Sequence, residues 1–323
     1  MMKERSMLLF ANENNNMQGL VQAGSNIAHK SGIENYVCVL VGPKAKRHAE
    51  ELKDSGADVI VAVEGNSAFP ETISTVLQQL TKKYQPVLIT MSSDVFNKEV
   101  AARLAASLDK GCITDCIDLS TDENANILAD RLIYGGIAVA SYVFDKEPAI
   151  CTLSQSFVGK IKGKTANSEA KIIYENVDFP NISKDLIGSR KIERTVDLSN
   201  SEIVVSVGRG LNKKEDMAII EDLAKELNAE IGCSRPLSED FKWLPVERQV
   251  GLTGETIKPK LYFAIGISGQ IQHVVGAKDA KIIVAINNNK NAPIFDVADY
   301  GIKGDLYEIV PKLTETIRAK KQS

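Results

Sequence analysis

Residues 202–227 read EIVVSVGRGLNKKEDMAIIEDLAKEL, and the architecture of the chain can be worked out from them. The first six residues are mainly branched and apolar, as in a strand that is buried on both faces of a parallel sheet. The glycine turn 208–210 follows, and residues 213–227 then place their apolar side chains at helical spacing. A strand, a tight turn and an amphipathic helix in this order are the repeating unit of a doubly wound α/β sheet.

The same alternation of strand and helix patterns recurs on both sides of this segment. Helical patterns cover residues 73–80, 100–108 and 306–318. Further strand patterns lie at Met7–Asn12, Tyr36–Val41, Val59–Val63, Pro86–Met91, Cys112–Ile117, Ala149–Leu153, Lys171–Ile173, Leu261–Ile265 and Ile282–Ile286. We therefore predict an α/β fold of two doubly wound domains, an N-terminal α/β domain and a C-terminal Rossmann-like domain with a parallel sheet.

A polar segment separates these two predicted domains. Residues 190–200 read RKIERTVDLSN and show neither strand nor helix periodicity. The length of 323 residues also favours about two domains. We place the boundary inside this segment, which gives domains of residues 1–194 and 195–323.

Composition excludes several classes of protein. The formal charge of −3 gives no basic field for nucleic acid, and no apolar run is long enough to span a membrane. The N-terminus shows no secretory signal, and five scattered cysteines indicate reduced thiols, so we expect a cytoplasmic protein. With only three histidines, no Cys/His metal site can be assembled, and we predict none.

Four segments that follow strands in the last third combine glycine with small polar or basic residues: Gly208–Gly210, Gly232–Arg235, Gln249–Gly254 and Gly266–His273. Loops at the carboxyl ends of parallel strands converge on one crevice, and glycines let the backbone approach an anion there. Each segment taken singly is more often an ordinary turn. Together they predict a nucleotide or dinucleotide site.

Taken in order, these segments resemble the alpha subunit of electron transfer flavoproteins. The resemblance rests on five words: VGRGL at 207–211, RQVGLTG at 248–254, GISGQIQH at 266–273, VAIN at 284–287 and APIFDVADYGI at 292–302. It is dense from about residue 205 to 313 and looser but collinear before that. It implies that FAD lies extended across the C-terminal domain, while the N-terminal domain contacts a second chain.

The resemblance also implies where the flavin ring of FAD would lie. Ser234 and Arg235 would sit at the isoalloxazine, with the guanidinium over the ring. The loop Val250, Gly251, Leu252, Thr253 would border it, with the Thr253 hydroxyl near N5. His273 would lie near O2. A fixed guanidinium and a histidine donor there would stabilise the negative charge of the reduced ring and raise its first reduction potential.

The rest of FAD would contact the remaining sequence segments. Arg209 would meet the part between phosphate and adenosine, and residues 268–273 would hold the ribityl chain and pyrophosphate. The complete set of predicted cofactor-binding residues is Arg209, Ser234, Arg235, Gln249, Val250, Gly251, Leu252, Thr253, Gly266, Ser268, Gly269, Gln270, Ile271, Gln272, His273, Asn287, Asp305 and Leu306. In this set Asn287, Asp305 and Leu306 would hold the AMP end. No residue is predicted to be catalytic.

The resemblance implies an electron carrier rather than a stand-alone enzyme. The chain would pair with an electron transfer flavoprotein beta subunit that carries AMP or a second FAD. It would pass single electrons from dehydrogenases of the acyl-CoA type, as in fatty acid beta-oxidation, to a quinone-linked or other acceptor. Two alternatives stay open: a subunit of an NADH-dependent electron-bifurcating flavoprotein complex, and a non-redox adenine-nucleotide-binding module on the same scaffold.

Overall fold

The structure is a computed structural model, and it describes residues 5–12, 17–160, 169–188 and 196–322. The chain divides into two compact units, Met1–Ser189 and Arg190–Ser323. The boundary that the sequence predicts, between residues 194 and 195, lies outside the described residues. Each unit contains a sheet with helices packed against it, and the α/β fold class is confirmed.

The N-terminal unit contains nine strands and five helices among its described residues. Its strands are β1 Ser6–Ala11, β2 Asn35–Val41, β3 Val59–Val63, β4 Leu88–Ser92, β5 Cys112–Thr121, β6 Ile127–Ile133, β7 Ala138–Val143, β8 Ala149–Leu153 and β9 Lys171–Tyr174. Its helices are α1 Met17–Lys30, α2 Ala45–Glu51, α3 Pro70–Tyr84, α4 Val95–Leu108 and α5 Gln155–Lys160.

The sheet of this unit is parallel through most of its width. Its order is β7-β6-β5-β8-β4-β1-β2-β3-β9, and the switch in winding direction falls between β1 and β4. Helices α1 and α2 cover one face of the sheet, and α3 and α4 cover the other. At one edge β5, β6 and β7 pair antiparallel. The N-terminal sheet is therefore mixed at that edge. The sequence did not predict β6 or β7.

The C-terminal unit contains five strands and three α-helices among its described residues. Its strands are β10 Ile203–Val207, β11 Glu230–Cys233, β12 Leu261–Ile265, β13 Ile283–Asn287 and β14 Tyr300–Lys303. Its helices are α6 Met217–Leu227, α7 Ile271–Ala277 and α8 Leu306–Gln322, with a short π-helical turn at Pro236–Asp240.

All five strands of the C-terminal unit are parallel, in the order β11-β10-β12-β13-β14. Helices α6 and α8 pack on one face of the sheet and α7 on the other. The chain therefore leaves β10 towards one face and β12 towards the other. The carboxyl ends of β10 and β12 form the topological switch point, where doubly wound sheets bind ligands.

Two features bear on the environment of the protein. Each of the five cysteines is a free thiol, and burial raises the pKa of Cys38 and of Cys233 to about 12. Among the described helices, none combines the length and the apolar character that a membrane span requires.

Candidate functional site

Two glycines bring the loops after β10 and β12 into contact at the switch point. Gly266 has a φ of +61°, and a Cβ on it would lie 2.8 Å from the Cα of Gly210. In return the Gly210 amide donates to the Gly266 carbonyl at 3.0 Å. A side chain at either position would push the loops apart, so both glycines are needed for this approach.

Next to this contact lies an open cavity of about 370 Å³, within the size range of ligand sites in proteins. Loops from β10, β11, β12 and β13, the segment 249–253 and the start of α8 surround it. It is lined by Arg209, Gly210, Ser234, Arg235, Pro236, Gln249, Val250, Gly251, Leu252, Thr253, Gly266, Ile267, Ser268, Gln270, Gln272, His273, Ile286, Asn287, Asn288, Gly304, Asp305 and Leu306. The structure thus brings together segments that are almost a hundred residues apart.

Every residue of the predicted cofactor set lines this cavity except Gly269 and Ile271. Gly269, with a φ of +85°, turns the loop against the backbone of Ile294, where a Cβ would lie 2.1 Å from the amide nitrogen. Ile271 is 55% exposed at the first position of α7. Gly269 therefore shapes the loop, and Ile271 faces solvent.

Two exposed guanidinium groups border the cavity. Arg209 follows β10 and Arg235 follows β11. The Ser234 amide extends the sheet by donating to the Val207 carbonyl at 3.0 Å, and this bond holds the start of the β11 loop against the sheet. Positive charge at the edge of the cavity suits an anionic ligand.

A buried amide connects two of the loops. Gln249 is 1% exposed; its Oε1 accepts from the Ser238 hydroxyl at 2.9 Å, and its Nε2 donates to Thr253 Oγ1 at 2.8 Å. Ser238 Oγ also lies 3.0 Å from the Arg235 carbonyl, so its single proton is shared between these two acceptors. Because the Thr253 oxygen accepts from Gln249, the proton of the Thr253 hydroxyl is left to donate elsewhere.

His273 is the buried titratable group in the wall of the cavity. It is 8% exposed, and its Nε2 lies 2.7 Å from the Tyr262 hydroxyl. Among the described residues, its buried Nδ1 has no hydrogen-bond partner of normal geometry. Burial lowers the pKa of His273 to about 4, against a small opposing effect of the Val250 carbonyl. The ring is therefore neutral at pH 7.

Two predicted residues at the far end also hold the local backbone. Asn287 Nδ2 donates to the Ile267 carbonyl at 2.8 Å, and Asn287 Oδ1 accepts from the Asn289 amide at 2.9 Å. Asp305 caps α8, because its carboxylate accepts from the Tyr307 amide at 2.9 Å. These two polar side chains fix the loops that form this end of the cavity.

Sequence reasoning missed several residues at the site. The additional lining residues are Gly210, Pro236, Ile267, Ile286, Asn288 and Gly304. Most are neighbours of predicted residues and could have been found by extending each segment by one position. Ser238 and Tyr262 lie behind the cavity wall, and the pairing of each with a lining residue appears only in the folded chain.

Comparison with known families is consistent with this architecture and site. Residues 12–180 match the electron transfer flavoprotein domain, and residues 197–278 match the electron transfer flavoprotein FAD-binding domain. The chain belongs to the electron transfer flavoprotein family and is of the alpha type. The resemblance, the FAD cofactor and the flavoprotein class that the sequence predicts are confirmed.

Relatives of known name cover most of the chain. Electron transfer flavoprotein subunit alpha of Thermoanaerobacterium thermosaccharolyticum is 34% identical over 91% of this chain and 91% of its own length. Protein FixB of Bradyrhizobium diazoefficiens is 33% identical over 93% of this chain and 84% of its own. A glycosyl transferase of family 9 from Veillonella parvula overlaps structurally with a TM-score of only 0.25, which is too low to inform the fold.

The residues at the cavity fit FAD. The dinucleotide carries a diphosphate, and Arg209 and Arg235 place two cations on the cavity. A flavin presents hydrogen-bond acceptors, and the cavity is lined by the polar side chains of His273 and Thr253. Because Gly210 and Gly266 have no Cβ atoms, their loops meet closely at the switch point beside the cavity.

Proposed function

We propose that this chain is the FAD-carrying subunit of a heterodimer that transfers single electrons between a dehydrogenase and an acceptor. One observation carries the proposal: all but two of the residues predicted to contact FAD, drawn from six separate segments, line one cavity at the switch point of the C-terminal sheet. The second chain would be a beta subunit of the same family.

When bound, FAD supplies the redox chemistry by accepting and releasing electrons one at a time. The protein adds positive charge beside the site through Arg235 and Arg209. A fixed positive charge near the flavin stabilises the reduced, more negative form relative to the oxidised form. Arg235 would act at the ring and Arg209 at the phosphates, as the resemblance to the family implies.

Two uncharged side chains, Thr253 and His273, would add hydrogen bonds to the positive charge of the arginines. The Thr253 hydroxyl accepts from Gln249 and thereby keeps its own proton for an acceptor in the cavity. His273 remains neutral, so it offers a hydrogen bond without a second full charge. Arg235 would then be the main cation at the ring, and the reduction potential would depend chiefly on it.

The partners complete the proposal. Electrons would come from a dehydrogenase of the acyl-CoA type and leave to a quinone-linked or other acceptor. The beta chain would contain AMP in a simple carrier, or a second FAD in a bifurcating complex that oxidises NADH. The free thiols at all five cysteines support a reducing compartment such as the cytoplasm.

The proposal is tested by co-expressing the chain with a beta-type chain and counting flavins in the purified complex. We expect one FAD per heterodimer and reduction of the flavin by an acyl-CoA dehydrogenase with its substrate. Two FAD per heterodimer, with NADH oxidation coupled to two acceptors, would establish the bifurcating alternative. A folded heterodimer that binds AMP or ATP but no FAD would overturn the redox proposal in favour of a nucleotide-binding module.

A further inference from the structure

The chain leaves strand β11 through the π-helical turn Pro236–Asp240, which begins directly after Arg235. Turns of this kind are rare in proteins and occur frequently at functional sites. The turn is anchored in the protein, because Leu237 is 0% exposed and packs in the core of the C-terminal unit. Ser238, the next residue, is 4% exposed, so the turn directs one hydroxyl into the protein behind the cavity wall.

The charged group of Arg235 lies at the cavity without a partner of its own. Arg235 is exposed and lines the 370 Å³ cavity, and its guanidinium makes no hydrogen bond or ion pair to any described residue. A long side chain without a partner samples several rotamers around a point that its backbone sets. Whatever fixes the backbone of Arg235 therefore decides where this positive charge can reach.

Ser238 is the side chain that holds this backbone. Its Oγ lies 3.0 Å from the Arg235 carbonyl and 2.9 Å from Gln249 Oε1, and its single proton is shared between these two acceptors. Ser238 does not line the cavity. Any effect of its hydroxyl on a ligand must therefore pass through Arg235 or Gln249.

Gln249 extends this contact to a second loop. It is 1% exposed, and its Nε2 donates to Thr253 Oγ1 at 2.8 Å. Both ends of the buried amide are thus bonded, and a break at either end would leave a buried polar group unsatisfied. Arg235 and Thr253, which both line the cavity, are in this way connected to one another through two side chains.

We infer that Ser238 is a positioning residue, which fixes the Arg235 charge relative to the Thr253 hydroxyl before a ligand binds. It does so from behind the cavity wall, through the Arg235 carbonyl on one side and Gln249 on the other. The inference rests on the proposed function, which places the flavin ring of FAD at Arg235 and Thr253. Electrostatic stabilisation of a reduced ring depends on charges that are already in place, so a fixed Arg235 acts more strongly than a mobile one.

The first test is the variant Ser238→Ala in the complex of this chain with a beta-type chain. The variant removes the shared proton and leaves Arg235, Gln249 and Thr253 in the sequence. We expect FAD affinity to fall about fivefold, as for the loss of one hydrogen bond, and the midpoint potential of the flavin to become more negative. A merely structural role of Ser238 would lower the stability in urea and leave the midpoint potential as it was.

The matched control is Thr314→Val, which removes another buried hydroxyl in the same unit. Thr314 is 5% exposed on α8, and its hydroxyl donates to the Val310 carbonyl at 2.8 Å. Thr314 does not line the cavity, so we expect a small loss of stability with unchanged FAD affinity and midpoint potential. Equal changes of the midpoint potential in both variants would overturn a specific role of Ser238.

A second test follows the turn in the unsubstituted full chain by hydrogen exchange, before and after FAD is added. The Phe241 amide donates to the Pro236 carbonyl at 2.9 Å and the Trp243 amide to the Leu237 carbonyl at 2.8 Å, so both amides report on the closed turn. We expect both to be protected without FAD and to exchange faster in Ser238→Ala. Protection that develops only with FAD would overturn the inference, even if the variant does not fold.

The outcomes separate this inference from the proposed function. If Ser238→Ala folds and leaves both FAD affinity and midpoint potential unchanged, Ser238 does not position Arg235, whatever FAD does. If the affinity falls and the potential stays constant, the inference about the charge at the ring is overturned. If the unsubstituted complex binds no FAD while both amides are protected, it is the proposed function that fails.

Discussion

The N-terminal and C-terminal units both wind a parallel sheet outwards from a switch point, between β1 and β4 in the first and between β10 and β12 in the second. In the N-terminal unit, polar side chains at that point bond to one another. Asn97 Nδ2 donates to Ser92 Oγ at 2.7 Å and to Asp94 Oδ2 at 2.8 Å, and its Oδ1 accepts from Asn12 at 3.2 Å.

At the C-terminal switch point the side chains do not close in this way. Two glycines bring the loops together, two arginines lie at the edge, and a cavity remains between the loops. The topology therefore supplies a crevice in both units, and the residues at the strand ends set its use. At the N-terminal switch point short polar side chains bond to one another, whereas at the C-terminal one glycines and long cationic side chains border a cavity that suits an anionic ligand.

Gly266→Ala should have the largest effect on stability and FAD binding, because it prevents the close contact between the loops at Gly210 and Gly266. The new Cβ would clash with Gly210 in a left-handed backbone, and we expect a loss of about 2–4 kcal/mol in the free energy of unfolding, with loss of FAD. Trp243, the single tryptophan of the chain, reports unfolding of this unit in urea.

Gly32→Ala in the N-terminal unit is the matched control for this change. Gly32 has the same φ of +61°, but a Cβ there would meet nothing within 4 Å. We expect only the backbone strain of about 1 kcal/mol and full FAD content. Equal losses in the two variants would show that the contact between the loops is not what makes Gly266 necessary.

Acidification should weaken the C-terminal unit through His273. Its pKa is about 4 in the folded chain and about 6.5 in an unfolded chain, so the unfolded chain takes up a proton first as the pH falls. The stabilisation is complete above pH 6.5 and is lost as the pH falls through 4, on the order of 3 kcal/mol in total. Urea unfolding at several pH values measures this slope.

His273→Gln provides the reference for that experiment, because other groups also titrate in this range. The variant keeps a polar side chain but takes up no proton between pH 6.5 and 4. We expect the difference in unfolding free energy between the two proteins to shrink steadily with falling pH. A constant difference would contradict a buried, neutral His273.

Asn97→Ala should lower the stability of the N-terminal unit without changing the binding of FAD. The substitution removes three side-chain hydrogen bonds from a largely buried polar cluster, at a cost of about 2 kcal/mol. Gln249→Ala is the corresponding change in the other crevice, and we expect it to weaken FAD binding as well. Loss of FAD in Asn97→Ala would break the contrast between the two switch points.

Arg235→Ala should have the smallest effect on the fold and a selective effect on FAD. We expect affinity for FAD to fall about tenfold, the loss of one charge-assisted hydrogen bond, and the midpoint potential of the flavin to become more negative. Arg318→Ala is the control, since Arg318 pairs with Glu226 at 2.8 Å and does not line the cavity. An unchanged midpoint potential in Arg235→Ala would show that Arg235 does not act at the flavin ring.

The parallel core of both sheets could be predicted from local patterns. The strands Val59–Val63, Ala149–Leu153 and Leu261–Ile265 have the bounds that the sequence predicts, because strands buried on both faces are short continuous apolar runs with polar ends. Strands β6, β7, β11 and β14 were missed. They have many exposed or half-exposed residues, and their pairing depends on neighbours rather than on an apolar run.

The amino-acid sequence alone was enough to establish the α/β class, the family and most of the cavity lining, since these depend on short ordered segments that follow buried strands. Three features became evident only in the folded protein: the pairing of Tyr262 with His273, the Ser238–Gln249–Thr253 chain, and the hydrogen-bonded polar cluster around Asn97. Each joins side chains from separate loops or elements. Distances of this kind are set by the packing of helices on sheets and of loops on one another, which no local pattern records.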